Sequence, residues 1–237
     1  LSGLELKYDK LLTGKNGSIK YYSDGKGKRL SMPEVYSEPK SGSDIKLTID
    51  LDIQLSLENE LSNAYTKYEA EGAIGLVMNP KTGEILAMSS YPSFDPSNYK
   101  EYSAEVINRT LAIWANFEPG STFKILTALE YIRENPSTYQ NYHFTCNGKF
   151  TSGENTIRCF HGTKHGEVDF TTSFAKSCNS SFANIGLTLS KTNFAQTLNS
   201  LYFNQALPVN FASNSSKVSV DSSSTDSDLI QTVIGQG

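Results

Sequence analysis

Apolar residues recur along this chain with two different periods, and each period predicts a kind of element. Ile53, Leu57, Leu61 and Ala64 are spaced three or four apart, which predicts a helix with one apolar stripe. Asp50 or Asp52 caps it, and IKLTID leads into it as a strand. GAIGLVMNPKTGEILAMSS predicts instead two strands around an Asn-Pro-Lys-Thr-Gly turn, with Gly72 and Gly75 marking close packing of a helix on that hairpin. A Pro-punctuated loop, YPSFDPSNY, precedes a helix through Ile107 to Trp114. Phe123, Ile125, Leu126, Ala128, Leu129 and Ile132 then leave almost no polar face before Asn135-Pro136, predicting a helix buried on most sides.

The remainder is less regular. Residues 1–41 are polar and turn-rich, with a hairpin whose first strand covers Ser18 to Tyr22 and whose turn is Ser-Asp-Gly-Lys-Gly. PKSGSD has the composition of a linker. Residues 146–168 form a β-rich excursion, Phe170 to Lys176 a short helix, and Phe182 to Leu189 the start of another. SNSSKVSVDSSSTDSD is a serine-rich loop, after which IQTVIGQG closes the sequence. Together these elements predict an α/β fold, an antiparallel sheet with helices on both sides and the Ser121 helix at its centre.

Composition narrows the function classes. With 38% hydrophobic and 11% aromatic residues the chain can bury a sizeable core, and a formal net charge of -4 with no long basic block argues against a nucleic-acid partner. No apolar run is long enough to span a bilayer, and no signal peptide opens the chain at Leu1, so the sequence is expected to be a piece of a longer protein.

The chemistry centres on EPGSTFKIL. Ser-x-x-Lys occurs six times, so spacing alone is weak. Only Ser121 and Lys124 combine a Pro-Gly lead with a dense apolar continuation, which places a lysine in the first turn of a buried helix. Residues three apart share a helix face, so Lys124 reaches the Ser121 hydroxyl. A lysine whose pKa is lowered by burial can take that proton, giving a serine nucleophile without histidine. The bland reading is a capping serine beside a solvated lysine. Ser177-Cys178-Asn179, the chain's single Ser-x-Asn, lies at a break between two predicted helices. By itself it is a cap and a turn residue.

Taken together, PGSTFK at 119–124 and SCN at 177–179 resemble the first two motifs of the penicillin-binding proteins, the serine D,D-transpeptidases of peptidoglycan cross-linking. TIDLDIQ at 48–54, the GAIGLVMNPKTGEILAMSSYPSFDP stretch and IGQG are similar to class B, monofunctional members. The resemblance implies a transpeptidase-like α/β fold over residues 42–237, preceded at 1–41 by the end of a non-catalytic pedestal domain. It implies Ser121 as nucleophile, Lys124 as base, Ser177 as proton relay to the leaving D-alanine, and Asn179 as a substrate-amide donor that also holds Lys124. The implied partners are peptidoglycan stem peptides, β-lactam antibiotics and other cell-wall synthesis proteins, at the outer face of a cell membrane, with no cofactor. The third motif, Lys-Ser/Thr-Gly, is expected downstream of Gly237. Lys81-Thr82-Gly83 is expected to be a hairpin turn and not that motif. No Glu-x-x-x-Asn follows Asn179 where class A β-lactamases carry a deacylating glutamate, which makes a lactamase the weaker enzyme reading. A β-lactam sensor and a non-catalytic structural module share the fold and stay open as rival readings.

Cys146, Cys159, His161 and His165 lie in one segment and are candidates for a zinc site, and whether Cys178 lies near them in space stays open. No metal ligand is assigned. Zinc, a Cys146-Cys159 disulfide closing the β excursion, and ordinary thiols all stay open, since the spacing matches no tight zinc pattern. Cys178 is expected to be a small packing group.

Overall fold

The computed structural model describes residues 3–31, 35–108, 110–209 and 213–236. The chain divides into two compact units, one running to Ala115 and the other comprising Asn116–Val209 and Ser213–Gly237.

In the first unit, helix α1 (Gly3–Leu12) precedes strands β1 (Ser18–Lys20) and β2 (Val35–Ser37). The turn expected after Tyr22 forms, closed by a bridge between Ser23 and Arg29 and by Gly27 at φ 80°. The hairpin continues outward from that turn with Leu30 N–H donating to the Tyr22 carbonyl, and its ladder resumes beyond residues 31–34 with Ser18 paired to Ser37. Helix α1 was not expected from a segment so polar. The main element is α2 (Leu51–Lys67) against the hairpin β3 (Ala73–Met78) and β4 (Ile85–Tyr91). Asp50 is the N-cap, its carboxylate accepting from the Ile53 N–H at 3.1 Å. Residues 45–49 form no regular strand. They follow β4 through Thr48 Oγ1 donating to the Ile85 carbonyl, and the Asp50 N–H donates to Leu86. A Cβ on Gly75 would strike Leu57 and Leu61, which is why a glycine sits mid-strand beneath the helix. Gln54 clasps Met88 of β4, receiving its N–H at 2.9 Å and donating to its carbonyl at 3.1 Å. The turn at 79–84 carries Lys81-Thr82-Gly83 exposed to solvent. The helix expected through Ile107 to Trp114 is two short pieces, α3 (Ala104–Asn108) and α4 (Leu111–Trp114), and Arg109 between them lies outside the described residues.

The second unit holds the main core. A 3-10 turn, Gly120–Phe123, feeds α5 (Lys124–Glu134). The β-rich excursion consists of β5 (His143–Cys146), β6 (Lys149–Ser152), β7 (Asn155–Arg158) and β8 (Gly166–Asp169), paired antiparallel as β5 with β8 and β6 with β7. Helices α6 (Phe170–Ala175), α7 (Asn179–Thr188), α8 (Lys191–Ser200) and α9 (Asp226–Thr232) complete it. Phe182, Ile185, Phe194, Ile230 and Val233 are fully shielded from solvent, each stabilising the unit by roughly 1.5–3 kcal/mol. Helix α5 is not buried on most sides. Its Lys124, Thr127, Ala128 and Tyr131 are covered, but Ile125 is 59% and Leu129 41% exposed. Helix α9 was missed because it is short and serine-flanked, although Thr225 and Asp228 form a full capping box.

Two glycines fix the start of the Ser121 turn. The Gly120 N–H donates to the Gly235 carbonyl at 2.9 Å, and a Cβ on Gly235 would collide with the Gly120 backbone. Both have positive φ, +59° and +77°. One turn further on, the buried Thr127 hydroxyl donates to the Val233 carbonyl at 2.8 Å. Gly235→Ala is therefore expected to destabilise the second unit by more than the ~1–2 kcal/mol of left-handed strain alone. Gly153→Ala, at φ +59° with nothing within 4 Å, measures that strain by itself. Equal losses for the two variants in thermal or urea unfolding would show that the Gly120–Gly235 seam contributes nothing.

Candidate active site

Pro119 and the left-handed Gly120 turn the chain so that Ser121 lies in the 3-10 turn and Lys124 begins α5. Ser121 is thus one turn ahead of the helix, near the positive end of its dipole, and does not itself cap it. Its hydroxyl is on the exposed side of the turn, whereas Lys124 is only 2% exposed.

The Lys124 side-chain nitrogen is surrounded by oxygen. Nζ lies 3.2 Å from Ser121 Oγ, 3.0 Å from Ser177 Oγ, 2.9 Å from the Ser177 carbonyl and 2.5 Å from Asn179 Oδ1. The Phe182 ring sits 5.5 Å from it. Burial lowers its pKa from 10.5 to about 8, against the opposing pull of Cys178 and Cys159. The partner chemistry fits a neutral amine. Two partners can only accept, the Ser177 carbonyl and Asn179 Oδ1, and two are hydroxyls that can donate. A neutral amine satisfies both acceptors with its two N–H groups and offers its lone pair to a serine hydroxyl.

Ser177 and Asn179 come from the connection between α6 and α7. Ser177 adopts φ 49°, an uncommon conformation for a side-chain-bearing residue, and this aims both its carbonyl and its hydroxyl at Lys124. The turn is pinned by Ser177 N–H to Phe174 and Cys178 N–H to Ser173. Asn179, the first residue of α7, donates through Nδ2 to the Arg158 carbonyl at 2.9 Å, so its oxygen must face Lys124. The structure brings together all four residues singled out in the sequence. Sequence reasoning missed the supports behind them. Besides Arg158, these are a buried hydroxyl chain in which Ser181 donates to Ser173 at 2.7 Å and Tyr142 contacts Ser181 and Asn184. Nothing local in the sequence marks such a chain.

The histidines take no part in this cluster. His143 and His161 are exposed, the latter against Phe160, and His165 lies beside Cys146. Of the set considered for zinc, His161 drops out and Cys178 joins. Ligand atoms of Cys146, Cys159, His165 and Cys178 all lie within 4.8 Å of one another. All three cysteines are free thiols, so the Cys146-Cys159 disulfide is not formed. Burial pushes the Cys178 thiol up to about 12, which makes it a poor nucleophile despite its neighbours.

Comparison with known proteins agrees with this geometry. Stage V sporulation protein D of Bacillus subtilis (strain 168) is 39% identical over 206 residues, 86% of this chain and 32% of that protein. Peptidoglycan D,D-transpeptidase FtsI of Escherichia coli (strain K12) is 34% identical over 141 residues, 57% of this chain and 24% of that one. The chain therefore spans about a quarter to a third of the length of these relatives. A chain from a peptidoglycan synthase complex, solved for how it coordinates polymerization and crosslinking, matches with a TM-score of 0.77 at 25% identity over 99% of this chain and 45% of that one. Residues 73–237 match the family described as penicillin binding protein transpeptidase domain. That match takes in both the Ser121–Lys124 turn and the 177–179 connection, and the chain belongs to this family.

Proposed function

We propose that this chain carries the acylation centre of a peptidoglycan D,D-transpeptidase, with Ser121 as nucleophile. The observation that supports it most directly is the buried Lys124 amine, 3.2 Å from Ser121 Oγ, with a pKa brought down toward neutrality. Ser121 Oγ attacks the carbonyl between two D-alanines, and its proton passes to Lys124. As the C–N bond breaks, Ser177 hands a proton to the departing amine and is replenished from Lys124. Asn179 holds Lys124 through Oδ1, and its Nδ2 is the group available to a substrate amide carbonyl once released from Arg158. An amine from a neighbouring stem peptide then takes the acyl group and frees Ser121. A β-lactam enters by the same attack, but its leaving amine stays tethered and the ester persists.

The names of the two relatives, a sporulation protein and a D,D-transpeptidase, favour cell-wall cross-linking as the setting. That setting makes stem peptides the substrate, other cell-wall synthesis proteins the partners and the outer face of the membrane the location. No helix among the described residues is long and apolar enough to cross a membrane. Residues 1–41 fit the end of a domain that precedes the transpeptidase.

Intact-mass measurement of the full-length protein after exposure to a penicillin is expected to show one adduct, absent from Ser121→Ala. An adduct persisting on Ser121→Ala, or none on the wild type, would overturn the assignment.

The lowered Lys124 pKa gives a second expectation. Only the neutral amine accepts a proton, so acylation should rise with pH to a plateau with a midpoint near 8 and not near 10.5. Asn179→Asp puts a carboxylate where Oδ1 now lies 2.5 Å from Nζ, which raises that pKa. The midpoint should move up, with roughly tenfold slower acylation at neutral pH for each unit of rise. Stopped-flow acylation across pH reads both, and a flat profile would rule out Lys124 as the base.

A further inference from the structure

We propose that Cys146, Cys159, His165 and Cys178 bind one zinc ion that clamps the 177–179 turn. The four residues come from separate elements. Cys146 ends β5, Cys159 follows β7, His165 precedes β8 and Cys178 caps α7. The β5–β8 ladder sets Cys146 opposite Gly166, which brings His165 beside it, and the Cys159 N–H donates to the Gly148 carbonyl at 2.9 Å, drawing β7's end back to β5's.

Three of the donor-atom separations match the edges of a metal tetrahedron, and the rest are within 4.8 Å. With Zn–S near 2.3 Å and Zn–N near 2.0–2.1 Å, tetrahedral edges are about 3.8 Å between sulfurs and about 3.6 Å between sulfur and nitrogen. Cys146 Sγ lies 3.6 Å from Cys159 Sγ and 3.4 Å from His165 Nδ1, and Cys159 Sγ lies 3.8 Å from Cys178 Sγ. A disulfide needs sulfurs about 2.0 Å apart. Three thiols and one imidazole form a soft, closed donor set suited to structural zinc, and the burial of all three sulfurs leaves no open position for a reacting water.

Each sulfur has a hydrogen-bonding group within reach. The Gly148 N–H points to Cys146 Sγ and the Ser181 N–H to Cys178 Sγ, each at 3.4 Å, and the Ser180 hydroxyl lies 3.1 Å from Cys159 Sγ. Donors of this kind orient and stabilise metal-bound sulfur. The exposed His161 stands outside the set. Because Cys178 is flanked by Ser177 and Asn179, a metal at its sulfur fixes the backbone that presents both to Lys124. The site would be a brace for that turn, and its binding does not depend on the reaction assigned to Ser121.

The test is metal analysis of the full-length protein purified with a thiol reductant and without chelator. About one zinc per chain is expected, with the three thiols slow to react until a chelator strips the metal and lowers the melting temperature. Cobalt substitution should give a tetrahedral spectrum with thiolate-to-metal charge-transfer absorption. Cys146→Ser and His165→Ala should each weaken zinc binding at least about tenfold in a chelator competition, whereas His161→Ala should not. The cobalt spectrum is read on the wild-type chain, so a variant that fails to fold leaves the test intact. Folded protein with only trace zinc, a cysteine disulfide mapped in freshly isolated protein, or equal zinc loss in His161→Ala would overturn the proposal. Because none of these readings involves penicillin, the zinc site and the acylation centre can fail independently.

Discussion

A lysine amine buried at the start of a helix is the constraint around which the second unit is organised. Removing a lysine from water carries a penalty of several kcal/mol unless its donors are met. Lys124 meets it with four oxygens, from Ser121 in its own turn and from Ser177 and Asn179 more than fifty residues on. That requirement explains otherwise odd local choices. Ser177 takes a left-handed conformation and Asn179 is turned by a backbone carbonyl. Each is unfavourable or neutral locally and makes sense only as part of a shell around one amine.

The same arrangement separates rigidity from access. Lys124 and its neighbour Phe182 are sealed in the core, while Ser121 and Ser177 remain at the surface. The two serines can therefore be reached from solvent without disturbing the packing that lowers the amine's pKa.

The legible parts of the fold were those decided by neighbours in sequence. The 73–91 hairpin was readable from its turn, Gly75 from the helix that must lie over it, and the Ser121–Lys124 pairing from helix geometry. Pairings made across the chain were not. The β1–β2 ladder resumes at Lys20 and Val35 after an offset that the marked turn does not foretell, and the meeting of Cys178 with Cys146 depends on a strand ladder whose register no spacing rule reveals. Apolarity also overstated the burial of α5. Ile125 and Leu129 have the character of core residues but stand exposed, because composition tells what a face would tolerate and not what covers it.

The Gly120–Gly235 bond has a consequence for how the centre comes into being. Its partners are separated by 115 residues (235 minus 120), and the Thr127–Val233 bond behind it by 106. Contacts of such separation form late, after the loops between them have closed. On the ribosome, the segment bearing Ser121 emerges well before the stretch of chain that holds its turn. The nascent protein thus carries Ser121 through all of that intervening synthesis without the backbone support that positions it, and the Ser121–Lys124 geometry arrives only with the assembled unit.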